Sequence, residues 1–410
     1  MFSKKNIARL SIFSLLSSLF IWTAVPAGAS GTCEVNDYGD TAGSSSQRTL
    51  RYCIANVGDD GEITFDNSSA ETITVLSEPL LIENGGITID GGGLITLTTS
   101  APSTSTTYVS SPTSYPLVTV DLTSNSSATT TFVGMAFNGA TNGSSVINGS
   151  AVAGSMEGGA INAAYANMGN LIGFDVSISD SEFSFNRSGN GGAVSADNLV
   201  VSNSRFVGNS ATGSIGGGAL YANEARVSGS FFDSNTAPSS NQNGGGGAIN
   251  VEKFMDISSS SFTNNSANLR GGALHDDQSM NSARQPSKVS SSFFGSNSTT
   301  NVGNSSSLGG AIYFDPVSNG LLPIIDNSTF VSNVSGNQGG AIGVASGGLL
   351  IALSTFFDNS TDDAFNGQSI YSNSGTIFIL GNLFLDETSD HTQVAPRGGQ
   401  AVADDGGSNI

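Results

Sequence analysis

The chain is predicted to be all-β, a parallel β-helix (solenoid) with three-sided coils, and three observations carry that reading. A nine-residue phrase, [VI]-x-x-S-x-F-x-x-N, recurs seven times between Ile178 and Asn359. The tetrapeptide G-G-A-[ILV] alternates with it. Successive Phe residues of the phrase lie 23 to 36 residues apart, the period of a stacked repeat whose single unit cannot bury its apolar face without neighbours. Helical repeats are disfavoured, because these segments are dense in Gly, Ser, Asn and Thr and lack apolar spacing at i, i+3, i+4 and i+7.

Each repeat reads as a sequence of short strands and corners. Apolar pairs at Val176 and Ile178, Leu199 and Val201, Met255 and Ile257, and Leu349 and Ile351 have the period-two spacing of a strand with one face inward. The Phe follows five residues after the Val or Ile, at Phe183, Phe206, Phe232, Phe262, Phe294, Phe330 and Phe356. An odd offset would turn it outward on a straight strand, so a corner is expected between them, made by the Ser, whose hydroxyl can bond nearby backbone. With that corner the Phe residues face inward as an aromatic stack, rather than outward as platforms for glycans or bases.

The Asn three residues on, at Asn186, Asn209, Asn235, Asn265, Asn297, Asn333 and Asn359, is expected to form a second corner in the left-handed region. Its amide would bond the Asn one coil above or below. The Gly pairs opening at Gly158, Gly191, Gly217, Gly246, Gly271, Gly309 and Gly339 mark backbone with positive φ or an approach too close for a Cβ. Length varies in two places only: the offset from Asn to the next Gly pair runs from 5 to 12 residues, and from that pair to the next Val or Ile from 10 to 20. One side of the solenoid is therefore expected to be rigid, with loops on the others.

The ends predict export. Lys4, Lys5 and Arg9 precede an apolar run over 10–25, and Ala27-Gly28-Ala29 supplies small residues for cleavage after Ala29, so 1–29 reads as a signal peptide. An uncleaved anchor is the alternative, although the run is short for a span and ends at Pro26. Removing Lys4, Lys5 and Arg9 from the 13 basic residues leaves ten against 33 acidic ones, a formal charge of −23. Such a balance argues against nucleic acid as a partner. Cys33 and Cys53 are the only cysteines. In an exported chain they are expected to pair, the alternative being two separate buried thiols. The resulting organisation is a cap over 30–66, a β-helix over 67–385 with its strongest repeats at 158–370, and a polar segment over 386–410 that reads as a tail or as the start of a further coil.

The alternation of G-G-A-[ILV] with F-x-x-N resembles the repeats of the chlamydial polymorphic outer-membrane proteins. The resemblance implies a right-handed parallel β-helix exposed at a cell surface and adhesion to a host or cell-surface protein or glycan. Upstream, Thr49-Leu50-Arg51, Gly61-Glu62-Ile63-Thr64-Phe65 and Ile87-Thr88-Ile89-Asp90-Gly91-Gly92 are similar to the amino-terminal region of secreted pectate-lyase-like β-helices, where a short amphipathic segment caps the first coil. Members of the chlamydial group end in an autotransporter barrel, and nothing after Phe384 has the alternating strands that a barrel needs. Membrane attachment is therefore left open.

β-Helices also host polysaccharide lyases and hydrolases, which need clustered carboxylates, sometimes with Ca²⁺, and an Arg or Lys base or clamp. The best candidate cluster is Arg270-Gly271-Gly272-Ala273-Leu274-His275-Asp276-Asp277, followed by Arg284 and Lys288, while Asp59-Asp60 and Asp362-Asp363 read as turn residues. His275, Asp276 and Asp277 could ligate a metal, or belong to a solvated polar loop. No other catalytic or cofactor-binding residues are assigned, and Ca²⁺ enters only under the enzyme reading. Two functions follow: a non-enzymatic exported adhesin presenting loops, or a secreted carbohydrate-active β-helix with its site at 270–288. A plain stalk or spacer is a third.

Overall fold

The computed structural model describes residues 31–410 except 77, 101–114, 124–126, 141–144, 148–149, 153–156, 168–169, 240–243, 278–284, 302–306, 316–320, 362–366, 386–393, 397–402 and 405–410. The expected cleavage site after Ala29 lies outside the described residues, as does Arg284.

The chain winds as a parallel β-helix: the described residues are 53% strand and 2% helix, with strands stacked in parallel, in order. The coil opening at Gly191 shows the plan. A long strand, Val194–Ser202, is followed by Arg205–Val207, which carries Phe206, and by Ser210–Ala211, which follows Asn209. Every strand pairs with its counterpart one coil on, for example Leu199 with Ala225 and Phe206 with Phe232. From Leu274 onwards the long strand is broken in two, as Leu274–Asp277 and Lys288–Ser290, then Ile312–Asp315 and Ile324–Asp326. The two-residue strands after Asn form a separate seven-stranded sheet. Two antiparallel hairpins depart from the plan, Ala164–Asn167 with Asn170–Gly173, and Ser145–Ile147 with Ser150–Val152.

Three left-handed residues turn each coil, and they correct two expectations. The first corner is the third residue of the phrase: Asp180, Asn203, Gly229, Ser259, Ser291, Asn327 and Leu353 have φ of 47–57°. The Ser is the residue after this corner. Its backbone N–H donates to Oγ of the next coil's Ser, as in Ser204 to Ser230 at 3.1 Å, while its own Oγ donates to the carbonyl two residues back. The second corner is the residue before the Asn, from Phe185 to Asp358, with φ of 52–63°. The Asn is thus not the left-handed residue; its side chain holds the corner. Each Asn Nδ2 donates to Oδ1 of the next Asn at 2.9–3.0 Å from Asn186 through Asn359. The same Oδ1 accepts from the backbone N of the preceding Asn, as Asn235 to Asn265 at 3.0 Å. The first Gly of each pair makes the third corner, with φ of 55–68°.

The core runs the length of the coils. Phe137, Phe183, Phe206, Phe232, Phe262, Phe294, Phe330, Phe356 and Phe384 stack in order, with ring centroids 4.6–5.0 Å apart and planes within 11°. The seven predicted rings are buried, each contributing roughly 1.5–3 kcal/mol. Coil spacing and ring spacing coincide because parallel strands lie about 4.8 Å apart.

Stacking extends into both flanks. Thr32–Val35 pairs in parallel with Glu62–Phe65, so the first sheet pairing lies within the expected cap. The helix Leu50–Asn56 starts at Thr49, whose side chain accepts from the backbone N of Tyr52, and it buries Leu50, Cys53 and Ile54. Cys33 and Cys53 form a disulfide, which contributes about 3 kcal/mol on the chain-entropy estimate. At the other end Val394–Pro396 pairs with Ile370–Ser372 and Ala403–Asp404 with Phe378 and Ile379, the start of a further coil. Among the described residues no helix is long and apolar enough to cross a membrane.

Candidate functional site

The candidate cluster lies on a paired strand and is largely buried. His275, Asp276 and Asp277 belong to Leu274–Asp277, in register with Ile249, Asn250 and Val251 on one side and with Ile312–Asp315 on the other. His275 and Asp276 have no exposed surface. Strand alternation separates them: Asp276 stacks between Val251 and Phe314, two core residues, while His275 faces the outer side. The expectation of a solvated loop is therefore overturned. The three do not converge as ligands either. Among the described residues no group of three or more His, Cys, Asp or Glu side chains is placed to hold a metal ion.

The outer side of this strand is itself covered. The residue before each Gly pair makes a parallel bridge to its counterpart, from Gly216 to Gly245, Arg270, Leu308 and Gln338, so a second layer of backbone folds over the strand that follows. A Cβ on Gly245 would lie 2.7 Å from Nδ1 of His275. Beneath this layer Tyr221, Asn250, His275, Tyr313, Gly343 and Tyr371 occupy one buried column. These residues follow the branched residue of G-G-A-[ILV], so the repeat alignment carried the signal for a column of which only His275 was singled out.

Charged groups border that column. Arg270 Nη1 lies 3.4 Å from Asp315 Oδ2, and its guanidinium carbon is 5.1 Å from the centre of the Tyr313 ring. Asp277 and Asp315 are in register. The Tyr221 hydroxyl donates to Glu252 Oε1. His275 lies against Tyr313, with ring centroids 5.4 Å apart, and among the described residues neither ring nitrogen has a hydrogen-bond partner. Burial, with Arg270 adding to it and Asp277 opposing it, lowers the His275 pKa to about 4, so the ring is neutral at pH 7. Burial also raises the Asp315 carboxyl, with Arg270 opposing the shift, and it raises the Tyr313 hydroxyl.

This arrangement holds coils together more readily than it handles a substrate. A general acid or base must reach the proton it moves, and His275 has no surface to offer. Arg270 is held between a ring and a carboxylate. Lys288 opens a different strand, Lys288–Ser290, and pairs in register with Asp256 and Ile324. The positions on which the enzyme reading relied are thus distributed over separate stretches of the coil. Comparison with protein-family models, with curated proteins and with solved structures finds no match.

Proposed function

We propose that this chain is an exported, non-enzymatic β-helix of the adhesin type, similar in design to the chlamydial polymorphic outer-membrane proteins, which presents loops to a host or cell-surface protein or glycan. One observation carries the reading: variable length is confined to the connections on either side of the first part of each long strand, before it and at the break that follows it. Segments 212–215, 238–244 and 300–307 enter that strand, and 278–287 and 316–323 leave it, while the corners around the Phe strand keep one length. A rigid ladder on one side and diverse connections on the other suit binding surfaces carried on a scaffold. Export is supported by the amino-terminal signal pattern and agrees with the Cys33–Cys53 disulfide, since such bonds persist in oxidising compartments.

The test is fractionation of producing cells with and without a high-salt or urea wash, following the mature protein by mass spectrometry. Recovery on the washed surface is the expected result. Recovery only in the medium, together with turnover in a polysaccharide screen with and without Ca²⁺, would replace this reading by the carbohydrate-active one.

A further inference from the structure

The Phe strands have an outer face as well as an inner one, and it carries a groove. A cavity of about 510 Å³ runs across four coils, lined by Gly229 to Phe231, Ser259 to Ser261, Ser291 to Phe293, Asn327 and Thr329. Phe231, Ser261, Phe293 and Thr329 are in direct register along it. Two outward aromatic rings therefore stand two coils apart, about 9.6 Å at the usual strand spacing, with a serine between them. Phe293 is 39% exposed. Its ring lies down along the strand, because a Cβ at Gly295 would come within 2.7 Å of Phe293 Cε1; the Gly leaves room for the ring to expose a face. The wall is the column of left-handed corners, Gly229, Ser259, Ser291 and Asn327, which sets small polar groups beside the rings. Among the described residues no Asp, Glu, Lys or Arg lines the groove.

We infer that this groove binds an uncharged, extended β-1,4-linked hexopyranose chain lying along the solenoid axis. Aromatic faces stack on the apolar C–H faces of pyranose rings, and hydroxyl and amide groups beside them bond the ring hydroxyls. In such a chain successive units are flipped, so the same ring face returns at every second unit. The groove repeats in the same way, with an aromatic at every second coil and the small Ser261 under the flipped unit. The absence of ionic residues selects against polyuronates and acidic peptides. Arg205 stacks against the far side of Phe231, 5.6 Å from its centroid, and pairs with Glu182, so the uncharged track ends there. This inference does not rest on the loop-presenting reading, and the variants below leave the loops intact.

The experiment is calorimetric titration of the mature protein with cellohexaose and with N-acetylchitohexaose, using maltohexaose and hexagalacturonate as controls. Saturable binding of at least one of the first two is expected, with neither control binding. Phe231→Ala and Phe293→Ala should each weaken it about tenfold. Phe357→Ala, which removes an exposed ring on the same face outside the groove, should leave it unchanged. Unaltered melting temperatures would show that the variants are folded. The proposal is overturned if neither β-1,4-linked hexasaccharide binds, if binding survives both groove variants, or if Phe357→Ala weakens it equally. It is also overturned if Phe293→Ala instead abolishes self-association of the protein, which would make the groove an interface between copies.

Discussion

The side-chain amide of Asn265 donates to Oδ1 of Asn297 at 3.0 Å and to the Phe232 carbonyl at 3.0 Å, while Asn265 Oδ1 accepts both N–H groups that Asn235 directs at it. One buried side chain thus serves two backbone groups of the preceding coil and links that coil to the Asn of the next. Asn265→Ala leaves the Asn235 backbone N–H and one Asn235 Nδ2–H without an acceptor in a dry interior, at about 1–3 kcal/mol each. A loss of about 3–5 kcal/mol is expected in urea denaturation, with unfolding beginning in the coils on either side of residue 265.

The second Gly of each pair is a contact between coils. A Cβ on Gly272 would lie 2.0 Å from the Gly310 carbonyl oxygen and 2.5 Å from the Ser298 N, both backbone atoms that cannot move aside singly. Gly272→Ala should cost about 3 kcal/mol or more. Gly92→Ala is the comparison: φ is +59° but nothing lies within 4 Å, so only the left-handed backbone opposes it, at about 1–2 kcal/mol.

Leu353 is the one aliphatic residue among the first-corner positions, with φ of 50° and 66% exposure. Its side chain contributes little burial while its backbone occupies a region that Asn or Gly tolerates better. Leu353→Asn is therefore expected to stabilise the protein by about 0.5–1 kcal/mol, read as a higher urea midpoint with an unchanged slope.

These corners also mark how far the sequence was legible. The Phe stack and the Asn ladder could be read because one residue type recurs at a fixed offset, and burial demands that type at every coil. The left-handed positions are filled by Asp, Asn, Gly, Ser and Leu at the first corner, since many residues meet a backbone demand at moderate cost. The recognisable pattern therefore lies in the invariant Ser and Asn beside them. The His275 column failed for a related reason: the second layer that buries it is made by the residue before each Gly pair, which varies from Gly245 to Arg270 to Leu308. Asp276, expected either as a metal ligand or as part of a solvated loop, escapes the core pattern because a carboxylate between Val251 and Phe314 breaks the apolar run of its column.

His275 gives the fold an acid-sensitive point. Its pKa falls from the ordinary 6.5 to about 4 on burial. As pH drops below 6.5 the unfolded chain takes up a proton that the folded chain refuses. The stability present above pH 6.5 is then lost down to about pH 4, by roughly 3 kcal/mol. The raised Asp315 carboxyl acts in the opposite direction over acidic pH, so the term is isolated by difference. Between pH 7 and pH 4 the native protein should lose about 2–3 kcal/mol more than His275→Asn, which places in the column the residue that Asn250 supplies one coil earlier.

The claim that the loops carry the cell-binding surface is tested by replacing 278–287 and 316–323 with Ala345-Ser346-Gly347, the short connection the chain itself uses between Ile342–Val344 and Gly348–Ala352. Binding of the purified mature proteins to intact cultured animal cells is then compared, with thermal unfolding followed in parallel. The account predicts a swapped protein that melts within about 4 °C of the native one and binds at least tenfold less. A swapped protein that is equally stable and binds as well as the native chain would contradict it.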